Sequence, residues 1–234
     1  MLVFFKQKVF LLMFLDRLHN LFLGICIHFF CATFISVFIF FSFMEKIADT
    51  IYKIVADSNL YFLDFAKKII IDTGRPRNKD LVLKELSKKI DPAKIDLVLF
   101  THFHYDHIGN FHLFPNAAFY ASQAEIDAWK KDPFGAILNM EVVEALEQFS
   151  LCVLPLEQLD LSLFGLLVIA TPGHTIGSIC LYYEKEKILF SGDTLFRDAH
   201  GRVDLPTSVP KEMMRSLLKL KKVDYTILCS GHEY

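Results

Sequence analysis

The densest chemistry in the chain lies in Thr101-His102-Phe103-His104-Tyr105-Asp106-His107, where three imidazoles and a carboxylate fall within six residues. Imidazole nitrogen and carboxylate oxygen are ligands for first-row divalent cations, zinc among them. Three more residues of this kind follow. They are His174 in Thr171-Pro172-Gly173-His174-Thr175, Asp193 in Ser191-Gly192-Asp193-Thr194, and His232 in Gly231-His232-Glu233-Tyr234. A polar loop holding several histidines by chance is the plain alternative, and it leaves the three downstream positions unexplained.

Such residues act together only if the chain delivers them to one place. The apolar run at 95–100 reads as a buried strand that ends in the histidine loop. Before it, 51–55 and 59–65 read as a hairpin broken at Asp57-Ser58, and 68–74 as a buried strand ending in a polar turn. Leu83, Leu86 and Ile90 stand at helical spacing within 80–90. A short strand is expected at 117–121 and a helix at 122–131, opened by Ser122 with Glu125 three residues on, a capping-box pattern. A further helix is expected at 141–149. The strand at 161–170 leads into the His174 turn, and 178–183 and 188–191 flank the charged turn at 184–187. Pro210 opens a helix over 211–220, and the strand at 225–230 ends at His232. The strands cluster in each half, with helices between and after them. This predicts an α+β domain of two mixed sheets with helices on their outer faces. Every candidate ligand then lies at a strand end, along one edge of the sheets.

The chain has 234 residues, is 53% hydrophobic and carries a net charge of −2. Its apolar excess is local, since residues 1–43 hold 12 of the 24 phenylalanines and are net basic. The remainder is mildly acidic and has no electrostatic footprint for nucleic acid. Residues 44–234 suit a single domain with a sizeable core. The five cysteines, Cys26, Cys31, Cys152, Cys180 and Cys229, show no disulfide framework and no CxxC pair. Cys180 and Cys229 lie in apolar runs and read as buried free thiols of a reducing compartment.

Residues 21–43 contain no charged side chain. A helix of about 20 residues crosses the hydrocarbon of a bilayer, so this stretch has the length of a transmembrane helix. The basic residues before it would keep the N-terminus in the cytoplasm and place the domain outside. The competing reading is a misassigned start, with translation beginning at Met44 and a cytoplasmic domain, which the free thiols favour.

The ligand motifs resemble those of the metallo-β-lactamase superfamily, whose signature is His-x-His-x-Asp-His followed by separate His, Asp and His. The resemblance runs from about Ile51 to Tyr234 and is nearest to the glyoxalase II (hydroxyacylglutathione hydrolase) branch and its short relatives, by Thr171–Thr175, Phe190-Ser191-Gly192-Asp193-Thr194-Leu195-Phe196 and Gly231–Tyr234. It implies an αββα sandwich around two metal ions, zinc in the first instance, with iron or manganese as alternatives. His102, His104 and His174 would hold one metal, Asp106, His107 and His232 the second, and Asp193 would bridge them. Seven ligands exceed the needs of one tetrahedral zinc, and two ions share them with a bridging water. Two cations about 3.5–4 Å apart make hydroxide available near neutral pH. The hydroxide attacks a carbonyl carbon while a metal steadies the oxyanion. Asp106 and Asp193 are the candidate catalytic carboxylates, Asp106 also orienting the nucleophile. The implied substrate is a small molecule, a thioester such as an acyl-glutathione. Asp72 would orient a ligand from behind, while Arg202 and Tyr105 are candidate substrate contacts.

The chain departs from that branch in several places. It stops at Tyr234, where glyoxalase II enzymes continue into a helical domain and where a few residues usually follow the last histidine. Asp204, two residues after Arg202, would repel a glutathione carboxylate, and Asn110 stands where a second glycine is common. The run Gly201–Pro206 also resembles persulfide dioxygenases, so a mononuclear iron dioxygenase is the second reading. A non-catalytic metal-stabilised binding protein is the third. His112 and His200 read as ordinary surface or pocket-rim residues. Membrane association is expected only if 21–43 is a true anchor.

Overall fold

The computed structural model describes residues 43–233. The candidate span at 21–43 lies, save for Phe43, outside the described residues. Among those described, no helix is long and apolar enough to cross a membrane.

The chain opens as an antiparallel meander of β1 (Met44–Ala48), β2 (Ile51–Ile54), β3 (Leu60–Asp64) and β4 (Lys68–Ile71). Helix α1 (Lys79–Leu86) then crosses to β5 (Leu97–Leu99), which pairs parallel with β4. The one-turn helix α2 (Tyr105–Ile108) follows, then β6 (Ala118–Ala121), parallel to β5. Helices α3 (Gln123–Lys131), α4 (Pro133–Ile137) and α5 (Met140–Gln148) lead to β7 (Val153–Pro155), the last strand of this seven-stranded sheet. The second sheet has four strands: β8 (Leu166–Ala170), β9 (Ile179–Tyr183), β10 (Ile188–Gly192) and, after α6 (Pro210–Leu220), β11 (Ile227–Ser230). Strands β8 to β10 are antiparallel, and β11 runs parallel to β10. Both sheets are therefore mixed, as expected.

Side-chain alternation with period two sorts the strands between layers. In β3, Tyr61 and Leu63 point between the sheets, whereas Leu60 and Phe62 face the helices. In β9, Leu181 and Tyr183 join that inter-sheet core, while Cys180 and Tyr182 meet Leu220 of α6 on the far side. Phe62, Ile70 and Val98 pack under Val82 and Leu86 of α1, Ile126 of α3 and Leu146 of α5. Three apolar layers thus separate helix, sheet, sheet and helix. Each fully buried Ile, Leu or Phe contributes roughly 1.5–3 kcal/mol, so the inter-sheet layer alone outweighs any single ion pair. Cys180 and Cys229 are buried free thiols, and burial pushes their pKa values up to about 11 and about 12.

Several details differ from the sequence reading. The helix expected over 80–90 ends at Leu86. The 161–170 segment begins as a 3-10 turn, Leu161–Phe164, broken by Gly165 at φ 70 before β8. Strands β1 and β7 and helix α4 were not foreseen. β1 reads as a generic amphipathic start, and β7 has only three residues. For α4 a signal existed: Asp132 caps it, accepting from Gly135 N at 2.9 Å, with Pro133 at its first position.

Candidate metal centre

Seven side chains meet where the strands of both sheets end. His102 and His104 leave β5 in extended chain, and His104 caps α2, which carries Asp106 and His107. His174 follows β8, Asp193 follows β10, and His232 follows β11. The expected turn after His104 is in fact a helical turn, which places Asp106 and His107 side by side facing inward.

The ligand atoms form overlapping clusters: His102, His104 and His174; Asp106, His107 and His232; and, between them, His102, His107 and Asp193. Asp193 Oδ1 lies 3.2 Å from His107 Nε2, and its Oδ2 lies 3.5 Å from His174 Nε2 and 3.4 Å from His232 Nε2. Asp106 Oδ2 is 3.4 Å from His232 Nε2. Ring centroids of His102 and His107 are 4.1 Å apart, and those of His104 and His174 4.5 Å. The glycine before His232 makes this approach possible. A Cβ at Gly231 would overlap Asp193 Oδ1 and sit 2.7 Å from His107 Cε1.

The rings are turned by bonds made behind them. His107 Nδ1 lies 2.8 Å from Asp72 Oδ2. The same oxygen accepts from Thr101 Oγ1 at 2.8 Å, and that hydroxyl lies 3.1 Å from His102 Nδ1. One buried carboxylate therefore sets two imidazoles, one directly and one through Thr101. His174 Nδ1 donates to the Arg202 carbonyl at 2.7 Å, and His232 Nδ1 to the Asp57 carbonyl at 2.7 Å. In a neutral ring, each Nδ1 proton so placed leaves the lone pair on Nε2, directed at the centre; at His107 and His232 the neighbouring carboxylates favour a proton there, which a metal would displace.

Electrostatics favour a cation. Burial alone would raise the carboxyls, yet the surrounding imidazoles hold Asp193 well below the ordinary carboxylate range and bring Asp106 to about 2. Burial and the facing imidazoles push His102 well down and His104 to about 3, so both rings are neutral at pH 7. Burial would lower His232 too, but Asp106 and Asp193 lift it to about 10. The decisive observation is that Nε2 of His102, His104 and His174 are buried and lack any hydrogen-bond partner. Three orphaned acceptors at one point are costly, and a divalent metal satisfies all three.

The sequence-predicted residues outside the ligand set divide. Asp72 is buried against Thr101 and His107 as described. Tyr105 lines the cavity above the centre, its hydroxyl held by Arg75, which also lies over the ring at 4.9 Å. Arg202 lines the cavity too, but its guanidinium is bound by both oxygens of Asp204 at 2.9 Å. Its bond to the centre runs through its carbonyl. His200 stands at the rim. Asp57, which orients His232 and whose side chain pairs with Arg75 and Arg77, was missed. It appeared in the sequence only as a hairpin break.

The chain belongs to the Metallo-beta-lactamase superfamily, whose profile matches residues 55–232. The fold and the metal-type cluster place it among the metal-centred members of that superfamily. It is 35% identical to a hydroxyacylglutathione hydrolase of Bartonella quintana over 60% of this chain, and it spans only 49% of that relative's length. It is 32% identical to a probable metallo-hydrolase of Methanocaldococcus jannaschii, over 71% of this chain and 81% of the relative. Among solved structures, TTHA1623 in a di-iron-bound form is 29% identical with a TM-score of 0.59, covering 76% of this chain and 88% of its own. The BLEG-1 B3 metallo-beta-lactamase is 28% identical with a TM-score of 0.58, covering 76% and 87%.

Proposed function

We propose that the chain is a binuclear zinc hydrolase acting on a small thioester, an acyl-glutathione or a compound of that class. His102, His104 and His174 would hold one ion, Asp106, His107 and His232 would hold the other, and Asp193, between the two clusters, would serve both. When bound, the ion pair supplies Lewis acidity and a water nucleophile at neutral pH.

The remaining steps fall to the protein. Asp106, ionised at neutral pH and beside His232, orients the attacking water. A cavity of about 450 Å³ opens above the centre, walled by Leu138, Phe196 and Leu205, and receives the acyl group.

The observation that carries the thioester reading is the 35% identity to the hydroxyacylglutathione hydrolase of Bartonella quintana. On the cavity wall, His200 Nδ1 donates to Gly201 O at 2.8 Å. Arg75 holds the Tyr105 hydroxyl, and Asp204 holds Arg202. An alkoxide or amine needs a proton on departure. A thiolate needs no such help, because its conjugate acid has a pKa of about 8.5. Asp204 stands beside Arg202 at the exposed edge of the cavity, which favours thioesters that do not depend on a carboxylate contact there.

Iron is the competing metal, by likeness to the relative solved with two iron ions. A persulfide dioxygenase works with one iron and open positions, and the second cluster of Asp106, His107 and His232 speaks against it. A non-catalytic binding role fits poorly with a ligand set that has lost no member.

Elemental analysis of the purified protein, paired with thiol release from S-lactoylglutathione and a panel of other thioesters, tests the reading. About two zinc ions per chain are expected, with turnover abolished in Asp106→Ala. A single iron together with oxygen uptake on a persulfide would replace it.

A further inference from the structure

Glu125 is 1% exposed, and no ion pair among the described residues involves it. Its position three residues after Ser122 marks it as the returning half of a capping box. Ser122 does its share, accepting from Glu125 N at 3.2 Å. The glutamate side chain does not turn back. Its Oε1 accepts from Phe103 N at 2.9 Å, and its Oε2 accepts from Thr175 Oγ1 at 2.8 Å and from Gly177 N at 3.0 Å. Phe103 stands between His102 and His104, and Thr175 follows His174.

We propose that Glu125 is the positioning residue of the His102, His104 and His174 half of the centre, its carboxylate fastening the two loops that carry those three imidazoles. The assignment deepens the metal-centre reading above and rests on it. The start of α3 grips the second loop twice, since Ser122 Oγ also donates to Gly177 O at 2.6 Å. The contact is close enough to require glycine: a Cβ at Gly177 would overlap Glu125 N. The other half of the centre is supported by Asp72 behind His107, which also reaches His102 through Thr101, and by the Asp57 carbonyl behind His232. Burial holds the Glu125 carboxyl up at about 7 despite its three donors, so those donors, and no cation, keep it ionised above that pH.

Glu125→Gln is the test. The amide keeps the shape, but its nitrogen must face a donor from one loop or the other, so one of the two is released. Zinc affinity is measured by competition with a chromophoric chelator in the full chain and in His174→Ala and His232→Ala backgrounds. We expect Glu125→Gln to lower affinity by about tenfold or more in the full chain and in His232→Ala, as for loss of an outer support. It should change little in His174→Ala, where that half is already broken. A purely structural role would lower the melting temperature and affect both backgrounds alike. Leu146→Ala, a core truncation in α5, supplies that pattern for comparison. Equal losses in both backgrounds, or no loss in His232→Ala, overturn the proposal. If Glu125→Gln does not fold, Thr175→Val removes one donor, leaves the carboxylate in place and is judged by the same two outcomes. A wild-type chain that takes up no zinc sinks the metal-centre reading itself, a result distinct from a zinc-binding wild type with an indifferent variant.

Discussion

Asp72 Oδ2 lies 2.8 Å from His107 Nδ1 and accepts from Thr101 Oγ1 at the same distance. Its Oδ1 accepts from Thr101 N at 2.8 Å, and the residue takes φ 58 to reach them. A non-glycine residue in this region carries local strain that its surroundings must offset. Asp72→Ala removes the partners of a buried N–H, a hydroxyl and an imidazole. The expected cost is about 1–3 kcal/mol of stability and roughly 10–100-fold in zinc affinity. Chemical denaturation and chelator competition measure the two separately. Unchanged zinc affinity would remove Asp72 from the support of the centre.

Gly231→Ala should be more damaging to metal uptake than to folding. The added methyl meets Asp193 Oδ1 and His107 Cε1, both facing the centre. The expected product is a folded protein with strongly reduced zinc content, read by circular dichroism and elemental analysis together. A variant with normal zinc content would show that the contacts between Asp193 and His107 relax without cost.

Metal removal gives a third expectation. The orphaned nitrogens of His102, His104 and His174 sit in the native state alone, so zinc binds the folded chain in preference to the unfolded one. At free zinc about 100 times the dissociation constant, the stabilisation is about 2.7 kcal/mol. The melting temperature should therefore rise with zinc concentration and fall on chelation. A melting temperature indifferent to both would argue against a site formed by these residues.

The pH dependence carries a definite sign. The carboxyl of Glu125 stands at about 7 in the folded chain, against 4.5 for an unperturbed glutamate, with burial as the leading cause. A raised carboxyl pKa means the folded state holds the proton more tightly. Its contribution is complete below about pH 4.5 and is lost as pH rises to about 7. The stability of the metal-free protein relative to Glu125→Gln, whose side chain does not titrate, should fall across that window. Denaturation curves at pH 4.5, 6 and 7.5 would reveal it, and a constant difference would mean that the three donors outweigh burial.

Much of the centre could be read from residue types because metal ligation needs particular side chains, and all seven positions stood at the ends of apolar runs. The sheets were legible for a related reason. An unbroken run such as Leu60-Tyr61-Phe62-Leu63 records two buried faces, as in a strand covered on both sides. The supports were harder to see. Asp57 acts through its carbonyl, as Arg202 does, and a backbone oxygen leaves no mark on residue type. Glu125 followed a local rule well enough to pass for an ordinary cap. Only the tertiary fold, which brings Phe103 and Gly177 to the start of α3, shows where its side chain goes. The Arg202–Asp204 pair was half visible, since the acidic residue was read as repelling a substrate when its first partner is the arginine beside it.

The four candidate ligands following β5 belong to the seven-stranded sheet, and His174, Asp193 and His232 to the four-stranded one. Each triad draws two members from the first sheet and one from the second, so an ion in either pocket is a clasp across the seam between them. Sliding or parting the layers would cost coordination at both pockets together. Occupancy of the centre is in that sense a gauge of whether the halves of the sandwich are in register, and slow hydrogen exchange in β5 should be matched by slow exchange in β10 when the clasp is shut.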